Sequence, residues 1–360
     1  MSATVDTAVA EPPVRRRRPA RVLRAGGLSV RWERRAARAA VLLLVALVLL
    51  GFAALLTGPV AIAPGEVLAS LLGQGRAGTD YAVLGLRLPR LATAVVVGVA
   101  LGASGAIFQT ISRNPLGSPD IIGFTTGAAT GGVLAILIFR AGATGTSVAA
   151  VVGGLLTAVL VYALAYRRGV DGFRLILVGI GITAVIEAVN SYLIARARLQ
   201  VALEAQVWQV GSLNGRTWTN ALGVAVALAV LLPVAVGFGR RLSMLEMGPE
   251  AARARGVPVQ GTTVVMVVVG VGLAAVATAA AGPISFVALA APQLARRLSR
   301  TEGAGLVTAG LMGAVLLVAS DVLAQRLIES RPLPVGLGTG LVGGLYLAWL
   351  LAREWRRGRG

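Results

Sequence analysis

The chain alternates between long apolar runs and short polar breaks. Ten of the runs approach the ~20 residues that a helix needs to cross a ~30 Å hydrocarbon core. They lie at 39–56, 91–111, 121–139, 147–166, 175–193, 220–236, 262–281, 284–295, 306–323 and 335–351. A bilayer core offers no water to satisfy backbone groups, so runs of this kind are helices. The pattern predicts an all-α, polytopic membrane protein with about ten transmembrane helices. The eighth run would rise only ~18 Å as a helix, but Gly282-Pro283 divides it from the run before. An even number of spans puts both termini on one side, and the arginine-rich ends assign that side to the cytoplasm of a cell membrane.

The longest internal polar break, 239–260, reads GRRLSMLEMGPEAARARGVPVQ. Its grammar is that of two short helices. Residues 242–247 can make a turn and a half, Gly248 breaks the chain, Pro249 suits a first helical position and Glu250 complements the N-terminal dipole. Residues 251–255 are good helix formers, and Gly256 is placed to end them in a left-handed conformation. Leu245, Met247, Ala251 and Ala252 can form an apolar knob rimmed by Arg240, Arg241, Glu246, Glu250, Arg253 and Arg255. The other reading of this break is a solvated connection between two spans.

Composition fits this reading. Apolar side chains make up 56% of the 360 residues, and the 47 glycines favour close helix packing over bulky lipid-facing surfaces. All 34 basic residues are arginine, and there is no lysine, histidine or cysteine. A phosphate-binding loop needs its lysine, so this chain does not bind and hydrolyse ATP in that way. Zinc-protease chemistry, a Ser–His pair, thiolate catalysis and a histidine proton relay are equally excluded. No catalytic residue, metal ligand or cofactor is expected. The net charge of +19 raises nucleic acid as a partner, but most of it flanks the membrane, where the positive-inside rule and lipid headgroups explain it.

Residues 1–36 are read as a disordered, arginine-rich cytoplasmic tail around Arg15–Arg18, residues 37–354 as the transmembrane domain with a cytoplasmic hairpin at 237–261, and 355–360 as a basic C-terminal tail. The tail is not a cleavable signal, because the apolar run after it is too long and lacks a small-residue cleavage site. Of the arginines beyond the tail, fifteen fall in loops assigned to the inside and nine outside. Arg87 and Arg90 are among those outside.

The segment 86–129, LRLPRLATAVVVGVALGASGAIFQTISRNPLGSPDIIGFTTGAA, carries the most specific pattern. Pro89 opens a helix between Arg87 and Arg90. Gly98, Gly102, Ser104 and Gly105 recur at spacings that let a neighbouring helix approach, and Arg113-Asn114-Pro115 makes a tight turn. This segment resembles the permease subunits of ABC importers for iron–siderophore, haem and cobalamin. Residues 86–90, Ser104-Gly105, 113–116, Pro119-Asp120 and Gly123 match the first signature of that family. The likeness continues through 177–182 (LVGIGI), 208–213 (WQVGSL), 247–257, 281–296 (AGPISFVALAAPQLAR) and 334–336 with Thr339. Gln293 and Gly344 stand where many members have histidine and proline. Together with 211–216 (GSLNGR), these features look most like one subunit type of the iron–enterobactin permeases, which pairs with a different permease chain.

The resemblance implies separate ABC ATPase subunits, an extracytoplasmic siderophore-binding protein and a second permease subunit as partners. It implies ATPase coupling through Leu245, Glu246, Met247, Gly248, Glu250, Ala251 and Arg253. It implies binding-protein docking at Arg87 and Arg90, with Arg326, beside Gln325, as the third basic contact. The fifth helix, which lines the pathway in this family, carries Glu187 and Asn190. The alternative for these two is an interhelical hydrogen bond. Asp321 is expected to pair locally with Arg326, and Trp208, Trp218, Trp349 and Trp355 to anchor span ends at the interface. A different class, an ion-coupled secondary transporter, would need intramembrane carboxylates, for which Glu187 and Asp321 are the candidates. It would leave the polar hairpin without a role.

Overall fold

A computed structural model describes residues 21–25, 28–32, 34–166, 172–300, 303–327 and 333–357. They are helical except for connections and one hairpin, in which β1 (Arg21–Ala25) pairs antiparallel with β2 (Leu28–Trp32), Val22 opposite Arg31. The tail was expected to be irregular over this stretch. Its sequence sets the β-favouring Val22, Leu23, Val30 and Trp32 on either side of Gly26-Gly27, a pair that favours short hairpin turns. The Arg15–Arg18 core of the tail lies outside the described residues.

The helices are α1 (Arg34–Leu56), α2 (Pro64–Leu71), α3 (Ala77–Asp80), a π-helical stretch Tyr81–Arg87, α4 (Leu88–Ser112), α5 (Phe124–Leu137), α6 (Ala143–Ala165) and α7 (Gly172–Arg196). Then come α8 (Leu199–Val210), α9 (Trp218–Leu245), α10 (Pro249–Ala254), α11 (Val259–Ala281), α12 (Val287–Ser299), α13 (Leu306–Leu327) and α14 (Val335–Arg357). A helix lies within each of the ten predicted runs, although 121–123 and 284–286 precede the helices of theirs. Seven helical stretches among the described residues are long and apolar enough to cross a membrane: 34–56, 77–112, 143–165, 172–196, 218–245, 259–281 and 306–327. The other three runs correspond to α5 with 14 residues, α12 with 13, and α14, whose apolar part is Val335–Trp349. The last helix continues to Arg357, so the described start of the C-terminal basic segment is helical.

Three pieces were not anticipated. The short helix α2 starts at Pro64, with Glu66 accepting the Ala63 backbone N–H. α3 and the π-helical stretch lengthen α4 into one 36-residue helix, 77–112. Helix α8 escapes a search for apolar runs because Gln200, Glu204 and Gln206 interrupt it.

Helix α4 is the axis of the bundle. It packs against α13, α11, α9 and α12, and 72% of the apolar window in both 77–112 and α11 is buried, against 17% in α7 and α9. Glycine makes this possible. A Cβ on Gly98 would lie 2.6 Å from the Ala314 Cα, and one on Gly105 would lie 1.8 Å from the Ala288 carbonyl oxygen. Only a residue without a side chain lets two backbones approach so closely. Around this axis α1, α6, α7 and α9 turn Val48, Val159, Val185 and Val226 outward. Apolar faces of this extent suit lipid, not water.

Behind α8 the chain is pinned at a backbone crossing. The Ser212 N–H donates to the Ala281 carbonyl at 2.7 Å, and the Gly336 N–H donates to the Gly211 carbonyl at 3.2 Å. Gly211 and Gly282 take positive φ there, 74° and 75°. The crossing holds the loop 211–217 at the end of the bundle where α4 begins.

Candidate functional site

Predicted site residues gather at the two ends of α4. At its N-terminal end a cavity of about 410 Å³ is bounded by Arg87, Arg90, Arg216, Thr57, Asp321 and Gln325, among others. Arg87 donates to the Leu55 carbonyl at 2.6 Å and also to that of Val60. It thereby satisfies backbone groups at and beyond the C-terminus of α1. Arg90 grips Asp321 with two parallel bonds, Nε to Oδ2 at 2.9 Å and Nη2 to Oδ1 at 2.7 Å. The two side chains are 18% and 4% exposed, and Gln325 adds a third donor to Asp321 at 2.9 Å.

Asp321 therefore does not pair with Arg326. Residues five apart on a helix lie ~140° apart around its axis, and only those three or four apart face one another. Arg326 turns to the Thr57 hydroxyl at 3.2 Å instead, and it is Gln325 that lines the cavity. Arg216 joins Arg87 and Arg90 from the loop after α8, donating from Nε to the Ser212 carbonyl at 3.0 Å. Burial lowers its pKa from the ordinary arginine value.

At the other end of α4 the hairpin departs from two short helices and a knob. α9 runs unbroken to Leu245, because nothing before Gly248 forces a stop. Gly248 turns the chain at φ 99°, and α10 follows with Pro249 in its first turn, Glu250 at its positive end and Arg253 at its negative end. The apolar residues divide. Leu245 and Ala252 are buried, while Met247 and Ala251 face outward with Pro249, Glu250 and Arg253. Leu245 closes α9 and Ala252 lies in α10, so the turn at Gly248 folds these two inward and leaves Met247 and Ala251 outside. Arg255 donates to the Met247 sulfur at 3.4 Å.

Glu246 turns inward. Its Oε1 accepts from Arg296 Nη2 at 3.2 Å and from the Thr110 hydroxyl at 3.3 Å, and Arg296 also reaches Thr110 at 3.1 Å. One carboxylate thus joins the ends of α9, α4 and α12. Gln293 holds the same region, donating to the Pro115 carbonyl at 2.8 Å and accepting from the Tyr346 hydroxyl at 3.3 Å.

Glu187 and Asn190 part company. Asn190 is buried and donates to the Thr130 hydroxyl at 2.8 Å, the interhelical bond foreseen as the alternative. Glu187 is exposed on the open face of α7. It is not the buried carboxylate that ion coupling was expected to use. Trp208 is likewise not an interface anchor, since its Nε1 donates to the Ala129 carbonyl at 3.2 Å within the bundle. Trp218 and Trp349 are exposed near helix ends, and the Trp355 side chain lies outside the described residues. Among the described residues no cluster of His, Cys, Asp and Glu is suited to hold a metal ion.

Sequence reasoning missed three polar residues at these sites: Arg216, Thr110 and Arg296. Arg216 stood in the noted GSLNGR stretch and Arg296 closed the noted 281–296 stretch, but nothing local tied Arg216 to the cavity or Arg296 to Glu246, 50 residues away.

The chain is thus a helical membrane bundle with an arginine-lined cavity at one end of its axis and an exposed helical hairpin at the other. The chain belongs to the FecCD transport family, which matches residues 43–353. It is 46% identical over 316 residues to the ferric enterobactin transport system permease protein FepG of Escherichia coli, covering 88% of this chain and 96% of that protein. It is 32% identical to the iron(3+)-hydroxamate import system permease protein FhuG of Bacillus subtilis, covering 85% and 94%. A solved structure of an inward-facing metal-chelate type ABC transporter has a TM-score of 0.77 and 27% identity, covering 88% of this chain and 99% of that one.

Proposed function

We propose that the chain is one permease subunit of an ATP-driven importer that carries a ferric siderophore across the cytoplasmic membrane. In this reading ATP is hydrolysed on separate ATPase subunits, an extracytoplasmic binding protein delivers the chelate, and a second permease, a different chain, completes the pathway. The permease relatives named for ferric enterobactin and iron-hydroxamate transport support the substrate class. Ten spans with both termini inside place the arginine cavity outside and the α10 hairpin in the cytoplasm. The cavity then receives acidic side chains of the binding protein, and the outward residues of the hairpin (Met247, Glu250, Ala251 and Arg253) receive the ATPase, with the buried Gly248 turning the chain beneath them. Leu245 and Glu246 act from behind them by anchoring the hairpin to the bundle.

One observation carries this reading: a single 25-residue helix, ~37 Å long, joins the two ends, with Arg90 near its start and Thr110 near its finish. Motion of the hairpin is thereby linked mechanically to the far cavity. The open face of α7 with Glu187 suits a pathway shared with the second permease.

An ion-coupled mechanism gains no support from this geometry, because Asp321 is neutralised by Arg90 and Glu187 is exposed. Uptake into proteoliposomes holding the permease pair, the ATPase and the binding protein tests the proposal. Accumulation of iron from a panel of ferric siderophores should require internal ATP and survive collapse of the proton and sodium gradients. Uptake driven by either gradient without ATP would refute it.

A further inference from the structure

Arg297 lies in the last turn of α12, at the hairpin end of the bundle. Its guanidinium is stacked on two rings of α14, 5.1 Å from the centre of Trp349 and 5.8 Å from that of Tyr346. Stacking uses the flat face of the group and leaves the N–H donors around its edge free. Among the described residues no acceptor takes any of them. The neighbouring Arg296, by contrast, is committed to Glu246 and Thr110.

The platform under Arg297 is itself held. The Tyr346 hydroxyl donates to Gln293 at 3.3 Å, and Gln293 donates to the Pro115 carbonyl at 2.8 Å. The rings of Tyr346 and Trp349 lie 6.1 Å apart, inclined by 33°. Arg297 is nevertheless exposed. A cation fixed on aromatic rings at the surface, with its fork unfilled, takes an anion at little further cost in side-chain entropy.

The setting selects the anion. Trp349 ends the apolar part of α14, the level at which aromatic side chains meet lipid headgroups. Leu345, Leu341 and Leu337 continue its outward face at one-turn intervals, 65%, 51% and 51% exposed. This stripe gives an acyl chain a track from the guanidinium into the hydrocarbon. Arg300, three residues on, is also exposed, and neither arginine forms an ion pair among the described residues. An edge of unpaired cations favours a headgroup of net negative charge. We infer that Arg297, on its platform of Tyr346 and Trp349, binds the phosphate of an anionic phospholipid whose acyl chain lies along Leu345 and Leu341. The inference needs this end of the bundle to reach a membrane surface, and it holds whichever substrate is carried.

The test titrates the assembled importer, in mild detergent, with phosphatidylglycerol, phosphatidylethanolamine or inorganic phosphate, and counts bound lipid by native mass spectrometry. Arg297→Ala should weaken one phosphatidylglycerol site about tenfold, the scale of a lost charge-assisted hydrogen bond. Arg297→Lys, which keeps the charge but not the fork, should weaken it about threefold. Trp349→Leu, which keeps an apolar surface but removes the ring, should do the same. These two variants give a reading if the alanine variant fails to assemble. Arg140→Ala, an exposed arginine at the other end of the bundle, should leave the site unchanged. Wild-type affinity in both Arg297 variants, or an equal loss with Arg140→Ala, would overturn the inference. Phosphatidylethanolamine binding as tightly would overturn it, because charge would not then be what is read. Displacement of the lipid by millimolar inorganic phosphate would assign the site to a soluble anion instead. Binding to the permease pair that vanishes once the ATPase is added would make this edge a protein interface, and would equally overturn the inference.

Discussion

Arg90 and Asp321, 231 positions apart in the chain, form a two-pronged ion pair that closes α4 onto α13 at the cavity end of the bundle. Removing one partner leaves a buried charge unmatched, which costs more than the pair itself contributes. Asp321→Ala should lower stability by about 3 kcal/mol, read as a lower melting temperature in detergent. The exchange Arg90→Asp with Asp321→Arg should recover part of that loss. An Asp321→Ala protein that melts like wild type would show the pair to be dispensable.

Glu246 and Arg296 do the corresponding work at the hairpin end, through Thr110 of α4. Because Glu246 faces inward, Glu246→Gln should leave ATPase association intact. It should uncouple the cycle: ATP hydrolysis by the assembled importer persists, and iron uptake falls about tenfold or more. The exchange Glu246→Arg with Arg296→Glu should regain uptake. Loss of ATPase from the purified complex in the single variant would instead put Glu246 on the docking surface.

Gly248 turns from α9 into α10 at φ 99°, a conformation that costs a β-branched residue heavily. Gly248→Val should insert into the membrane normally and lose ATPase in pull-down experiments. Glu250→Arg, which puts a positive charge on the positive end of α10, should do the same more mildly, by about 1 kcal/mol. Full uptake by both variants would return the hairpin to the status of a plain connection.

Asp120, in the connection between α4 and α5, has both carboxylate oxygens buried without a completed hydrogen bond. Burial pushes its pKa up to about 6, and the Thr125 hydroxyl and Phe286 backbone N–H only partly offset this. The folded state therefore holds the proton more tightly than the unfolded state does. This contribution to stability is full below pH ~4 and is lost as pH rises to ~6. Asp120→Asn should raise the melting temperature at pH 7 and flatten its fall between pH 4 and 6. A variant that melts lower at pH 7 would mean that the carboxylate has an ionic role.

Read alone, the sequence determined the helical class, the positions of the ten apolar runs, the close-packing glycines of α4 and the turn at Gly248. These follow from local chemistry: run length against bilayer thickness, the absence of a Cβ, and the few residues that tolerate positive φ. Family likeness added which polar stretches to watch. Only the tertiary structure decided which charges meet. Asp321 had a cation five residues away and took one 231 residues away instead, because helical phase turned the near one aside. Glu246 looked like part of an exposed rim and became a half-buried strut between helix ends, while Met247 and Ala251 were left outside. Arg216 gave no local sign of reaching the cavity, since its place depends on a backbone crossing in which Ser212 meets Ala281 and Gly211 meets Gly336. Period and propensity are written within a few turns of the chain, but the pairing of buried charges is set by the angles at which distant helices pack.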